Sequence, residues 1–125
     1  MAARVLIVED DRDLRKILKR LLESEGYIVE TAENGQLALD YLSMADVLPK
    51  AILLDLMMPV MDGFQFREKQ MEIPRLSSIP VAIMTAGGNI EEKQLALKAA
   101  AAMRKPADVS LILEVVERLT NCQKA

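Results

Sequence analysis

The chain has 125 residues, 51% of them hydrophobic, which suffices to bury one core and is too short for two domains. Its 16 basic and 19 acidic residues leave a net charge of −3, without the basic surface expected of a nucleic-acid binder. Histidine is absent, which rules out an imidazole base, nucleophile or metal ligand from this chain; the lone Cys122 rules out an intrachain disulfide or a multi-cysteine metal site.

In chain order, short apolar runs alternate with amphipathic stretches, the pattern of a parallel sheet covered by helices on both faces. Val5–Val8 reads as a buried strand; Asp11 then caps a helix with Leu14, Ile17, Leu18, Leu21 and Leu22 on its inner face, ended by a left-handed Gly26. Tyr27–Thr31 is the second strand, and Asn34-Gly35 opens a helix with Leu37, Ala38, Tyr41 and Leu42 inward, finished before Pro49. Ala51–Leu54 is the third strand, ending at Asp55; residues 57–63 form a loop, and a helix follows from Phe64 to Glu72. Pro80 introduces the fourth strand, Val81–Met84, after which Asn89 caps a helix carrying Ile90, Leu95 and Leu97. A fifth strand is expected at Ala102–Arg104, against the helix preference of four consecutive alanines, Ala99–Ala102. Val109, Ile112, Leu113, Val116 and Leu119 mark a last helix, and the eight methionines read as core filler. With no internal repeat or linker, residues 1–125 are expected to form one domain.

In an open parallel sheet, ligands bind beyond the carboxyl ends of the strands, where the strand order reverses. The first strand ends in Glu9-Asp10-Asp11, the third in Asp55, the fourth in Thr85 and the fifth in Lys105. Taken singly, each has a plain reading: acids at a helix start, a turn aspartate, surface hydroxyl and ammonium. Their arrival in order at four strand ends favours a site. Glu9, Asp10 and Asp55 brought together must bind a hard cation or stay partly protonated, and Mg2+ suits an all-oxygen set of this size. Asp55 then serves as a carboxylate nucleophile on phosphorus, Lys105 as a point charge and Thr85 as a hydroxyl donor.

The segments Val-Leu-Ile-Val-Glu-Asp-Asp at 5–11, Leu-Leu-Asp-Leu-Met-Met-Pro-Val-Met-Asp-Gly at 53–63, Ile-Pro-Val-Ala-Ile-Met-Thr-Ala at 79–86 and Lys-Pro at 105–106 resemble response-regulator receiver domains over nearly the whole chain. The resemblance implies an α/β, flavodoxin-like (βα)5 doubly wound fold with strand order 2-1-3-4-5. It also implies Asp55 as phosphoacceptor, Asp10 as a direct Mg2+ ligand, Glu9 as a water-mediated one and the Met57 backbone carbonyl as a third. Thr85 and Lys105 take the switch and phosphate-binding positions, and the Lys105–Pro106 bond is expected to be cis. A sensor histidine kinase or histidine phosphotransfer protein is the implied partner, with no enzymatic turnover beyond self-phosphorylation and autodephosphorylation. With only four apolar residues, Val5–Val8, between Arg4 and Glu9, and no stretch long enough to cross a bilayer, a cytoplasmic location away from membranes is expected.

The chain departs from the receiver pattern ahead of the lysine: Ala102 replaces the usual aromatic, Lys98 a common glycine, and Ala100-Ala101 a common acidic pair. An alanine cannot report by swinging a ring, so output is expected through the loop after Thr85 and the next helix, with Gly87-Gly88 supplying backbone freedom. Other readings are a phosphate shuttle in a relay, a degenerate receiver that binds partners unphosphorylated, and a haloacid-dehalogenase-type phosphatase. The last lacks its Asp-x-Asp motif after the first strand.

Overall fold

The computed structural model describes residues 2–121; Cys122 lies outside them. Eleven elements follow in order: β1 (Arg4–Val8), α1 (Arg12–Ser24), β2 (Ile28–Ala32), α2 (Gly35–Met44), β3 (Ala51–Asp55), α3 (Gly63–Glu72), α4 (Pro74–Ser77), β4 (Val81–Thr85), α5 (Ile90–Leu97), β5 (Ala101–Arg104) and α6 (Val109–Asn121). The strands form one parallel sheet in the order β2-β1-β3-β4-β5. This is the flavodoxin-like arrangement that the motifs imply, and it reverses between β1 and β3.

Successive strand residues point to opposite faces, so each strand feeds two cores. Val5, Ile7, Leu53 and Met84 pack under α1 and α6 with Leu18, Leu22, Ile112 and Val116. Leu6, Val8, Leu54 and Ile83 pack under the other helices with Ala38, Leu42, Phe66 and Leu76. Burial on both faces is why these strands read as continuous apolar runs.

The expected helix starts are present. Asp11 accepts from the amides of Asp13 and Leu14, Asn34 from Leu37, and Asn89 from Glu92; Gly26 ends the α1 segment at φ +93°. Asp62 caps α3 in a reciprocal pair with Gln65. A Cβ on Gly63 would sit 2.7 Å from the Asp55 carbonyl oxygen, so only glycine lets α3 start against the end of β3.

Several expectations need correction. Leu37 is exposed, not inward-facing, and Ile17, Leu95 and Val109 of the helical patterns are exposed as well. Met44, Met57 and Met71 are also exposed, so methionine fills the core only in part, at Met58, Met84 and Met103. The short α4, opened by Pro74, lies where no element is predicted. The alanine run is divided: Lys98 ends α5 in a left-handed conformation (φ 53°), and the chain then pairs with β4, Ala101 opposite Ala82. Ladder hydrogen bonds and burial of Ala101 and Met103 outweigh alanine's helix preference.

Candidate functional site

Beyond the carboxyl ends of β1 and β3, Glu9, Asp10 and Asp55 each present an oxygen, all within 4.8 Å of one another. Asp10 is exposed, whereas Glu9 and Asp55 are 0% and 2% exposed. Lys105, just after β5, brings its Nζ to 2.7 Å from Glu9 Oε1 and 3.3 Å from Asp55 Oδ2. One ammonium thus faces two buried carboxylates, with the exposed Asp10 adding a third acid at the rim.

The charge imbalance is written into the titration of Asp55. Burial raises its pKa, the neighbouring Glu9 raises it further, and the Met57 amide (3.2 Å to Oδ1) and Lys105 only partly oppose this, leaving it at about 7. For Lys105, burial disfavours the charge, but the contacts with Glu9 and Asp55 outweigh it and hold the pKa above its usual value. Glu9 Oε2 accepts from the Asp11 amide at 3.1 Å, whereas the fully buried Oε1 meets Lys105 outside hydrogen-bond geometry and keeps acceptor capacity. A buried acceptor with spare capacity in an all-oxygen donor set fits a hard divalent cation.

Thr85 and Met57 border this group. Thr85 ends β4 beside Asp55, since Asp55 pairs with Met84, yet its hydroxyl engages Gly87 O (3.3 Å) and Lys93 Nζ (3.2 Å). The structure therefore gathers Glu9, Asp10, Asp55 and Lys105, and holds Thr85 at the edge, turned to its own loop. Met57 contributes its amide to Asp55, and its side chain is exposed. The Lys105–Pro106 bond is cis.

Sequence reasoning missed Arg15 and Lys93. Arg15 donates to the carbonyl oxygens of Glu9 (2.9 Å) and Asp10 (3.4 Å), fixing the loop that carries both acids. Its only sequence signal is a cation one turn into a helix that begins beside three acids.

The response regulator receiver domain model matches residues 5–117. The chain belongs to the response-regulator receiver family. This receiver is similar to the signal receiver domain of a signal transduction histidine kinase from Syntrophus aciditrophicus, at 32% identity and TM-score 0.89, covering 98% of this chain and 93% of that one. It is also similar to the chemotaxis response regulator CheY4 of Vibrio cholerae, at 30% identity and TM-score 0.86, covering 95% and 99% of the two chains. An uncharacterized 14.6 kDa protein of Leptolyngbya boryana is 35% identical over 91% of this chain and 87% of its own length. A transcriptional regulatory protein CpxR homolog of Haemophilus influenzae is 41% identical over 77% of this chain, and the match spans only 40% of that protein. Two-component signalling is the setting of the family, whose chemistry is generally limited to self-phosphorylation. No helix among the described residues is long and apolar enough to cross a membrane.

Proposed function

We propose that this receiver accepts a phosphoryl group on Asp55 from a phosphohistidine donor, either a sensor histidine kinase or a histidine phosphotransfer protein, and relays the event through protein contacts in the cytoplasm. The observation that carries this reading is Asp55 itself: a nearly buried carboxylate, 3.3 Å from Lys105 and grouped with Glu9 and Asp10 at one sheet edge. We read residues 1–125 as one receiver domain, with no nucleic acid or membrane as partner.

An Asp55 oxygen attacks phosphorus as the phosphorus–nitrogen bond of the donor breaks, and the electron pair leaves with the imidazole nitrogen, which takes a proton from solvent. Lys105 holds its positive charge where the phosphoryl oxygens accumulate negative charge, and Thr85 supplies a hydroxyl donor once it turns from Gly87. Asp10 directly, Glu9 through water and the Met57 carbonyl would hold Mg2+. When bound, the ion offsets the charge of the carboxylates and phosphoryl oxygens.

The test is incubation with acetyl phosphate and Mg2+, followed by intact mass and site mapping. One added phosphoryl group on Asp55, absent from Asp55→Ala and after chelation, supports the reading; an unmodified wild type leaves a module that binds partners unphosphorylated. The half-buried Ala102, which has no ring to swing, favours a second reading as a phosphate shuttle. That reading requires fast back-transfer to a histidine phosphotransfer protein.

A further inference from the structure

The loop that the glycine pair was expected to leave free is held by two cations. Lys93, on the first turn of α5, donates to Gly87 O at 2.6 Å and to Thr85 Oγ1 at 3.2 Å. Arg104, at the end of β5, donates to Gly88 O at 3.1 Å. Gly88 is at φ +79°, and a Cβ there would meet Lys93 Nζ at 2.9 Å, so the loop closes around the ammonium. Among the described residues no acidic side chain forms an ion pair with Lys93, and its charge is spent only on these two neutral oxygens.

From this geometry we infer that Lys93 is a positioning residue for Thr85, linking phosphorylation of Asp55 to α5; the inference rests on the functional reading above. For its hydroxyl to donate to a phosphoryl oxygen, Thr85 must leave Gly87 O. Lys93 already satisfies that carbonyl, so it is not stranded. Lys93 also donates to Thr85 Oγ1, which leaves the Thr85 proton as the hydroxyl's donor group and polarises it toward an acceptor. Negative charge added beside Thr85 attracts the unpaired ammonium. The helix it pulls on has no buried residue and is held at its far end by Arg67, which donates to the carbonyls of Leu97 and Lys98. The link thus stands where Ala102 offers no ring.

The experiment follows acetyl-phosphate phosphorylation and its decay by intact mass in wild type, Lys93→Met, Lys93→Arg, Thr85→Ala and the Thr85→Ala/Lys93→Met double variant. Lys93→Met is expected to slow phosphorylation on the order of ten- to a hundredfold, the loss of one charge-assisted hydrogen bond. Lys93→Arg, which keeps charge and donors, recovers most of the rate, and Lys93→Met adds nothing in the Thr85→Ala background. With beryllofluoride and Mg2+, amide shifts in residues 90–97 of wild type vanish in Lys93→Met while those around Asp55 persist. Wild-type rates in Lys93→Met, no recovery in Lys93→Arg, or an undiminished loss on top of Thr85→Ala overturns the inference alone. A wild type that takes no phosphoryl group overturns the underlying reading and this inference with it.

Discussion

The two halves of the sheet edge are built differently. On the β1–β3 side, every residue from Val5 to Glu9 and from Ala51 to Leu56 is buried, Gly63 packs against the Asp55 carbonyl, and Arg15 fixes the acidic loop. On the β4–β5 side, α5 buries none of its residues, Leu95 is 80% exposed, and the strand beneath it begins with two alanines. The carboxylates sit on the closely packed half, and Lys105 reaches them from the side whose helix α5 is lightly packed. Close packing gives the carboxylates fixed positions, while a lightly packed helix can shift at small free-energy expense.

Truncation in the two halves should differ most. Leu53→Ala, in the central strand, is expected to lower unfolding free energy by roughly 3–4 kcal/mol. Leu95→Ala should stay within about 0.5 kcal/mol by urea denaturation. Equal losses would mean that α5 is as firmly packed as β3.

Next in size is Lys105→Ala. Without the ammonium, Glu9 and Asp55 become uncompensated buried acids, costing roughly 3 kcal/mol at pH 8. Phosphorylation from acetyl phosphate should slow by about a hundredfold. Thermal melts and intact-mass time courses on the same preparation separate the two effects.

A smaller effect is expected from Asp55→Asn, and it depends on pH. The folded Asp55 pKa of about 7 lies above the ordinary 3.8, so the folded state holds this proton more tightly. That contribution is fully present below about pH 4 and is lost as pH rises through 7. In metal-free buffer Asp55→Asn should therefore leave stability unchanged near pH 4 and raise it at pH 8 by about 1–2 kcal/mol, part of the gain being lost because Lys105 gives up a partner. Added Mg2+ should stabilise wild type at pH 8 and the variant far less. A gain that is the same at both pH values would show that Asp55 titrates normally.

A further effect concerns the helix start on the side of α5. Asn89→Ala removes the acceptor for the Glu92 amide and should cost about 1 kcal/mol, seen first as faster amide exchange in residues 90–97 and not in β3.

What could be read in the sequence was whatever depends on local pattern. The runs Val5–Val8, Ala51–Leu54 and Val81–Met84 are apolar because both sheet faces are covered, and Asp11, Asn34 and Asn89 cap helices through contacts two or three residues away. Glu9, Asp10, Asp55 and Lys105 were legible as a group because each ends or follows a strand, and parallel strands deliver their ends to one edge. Only the tertiary structure decided the rest. The alanine run could become Ala101–Arg104 strand only once β4 offered a ladder partner, since alanine alone prefers a helix. The turn of the Thr85 hydroxyl toward Gly87 and Lys93 likewise joins a strand end to a helix eight residues on through a loop whose course the sequence does not specify. Local propensity acts over a few residues, whereas these outcomes were set by which groups the completed sheet brought within hydrogen-bond reach.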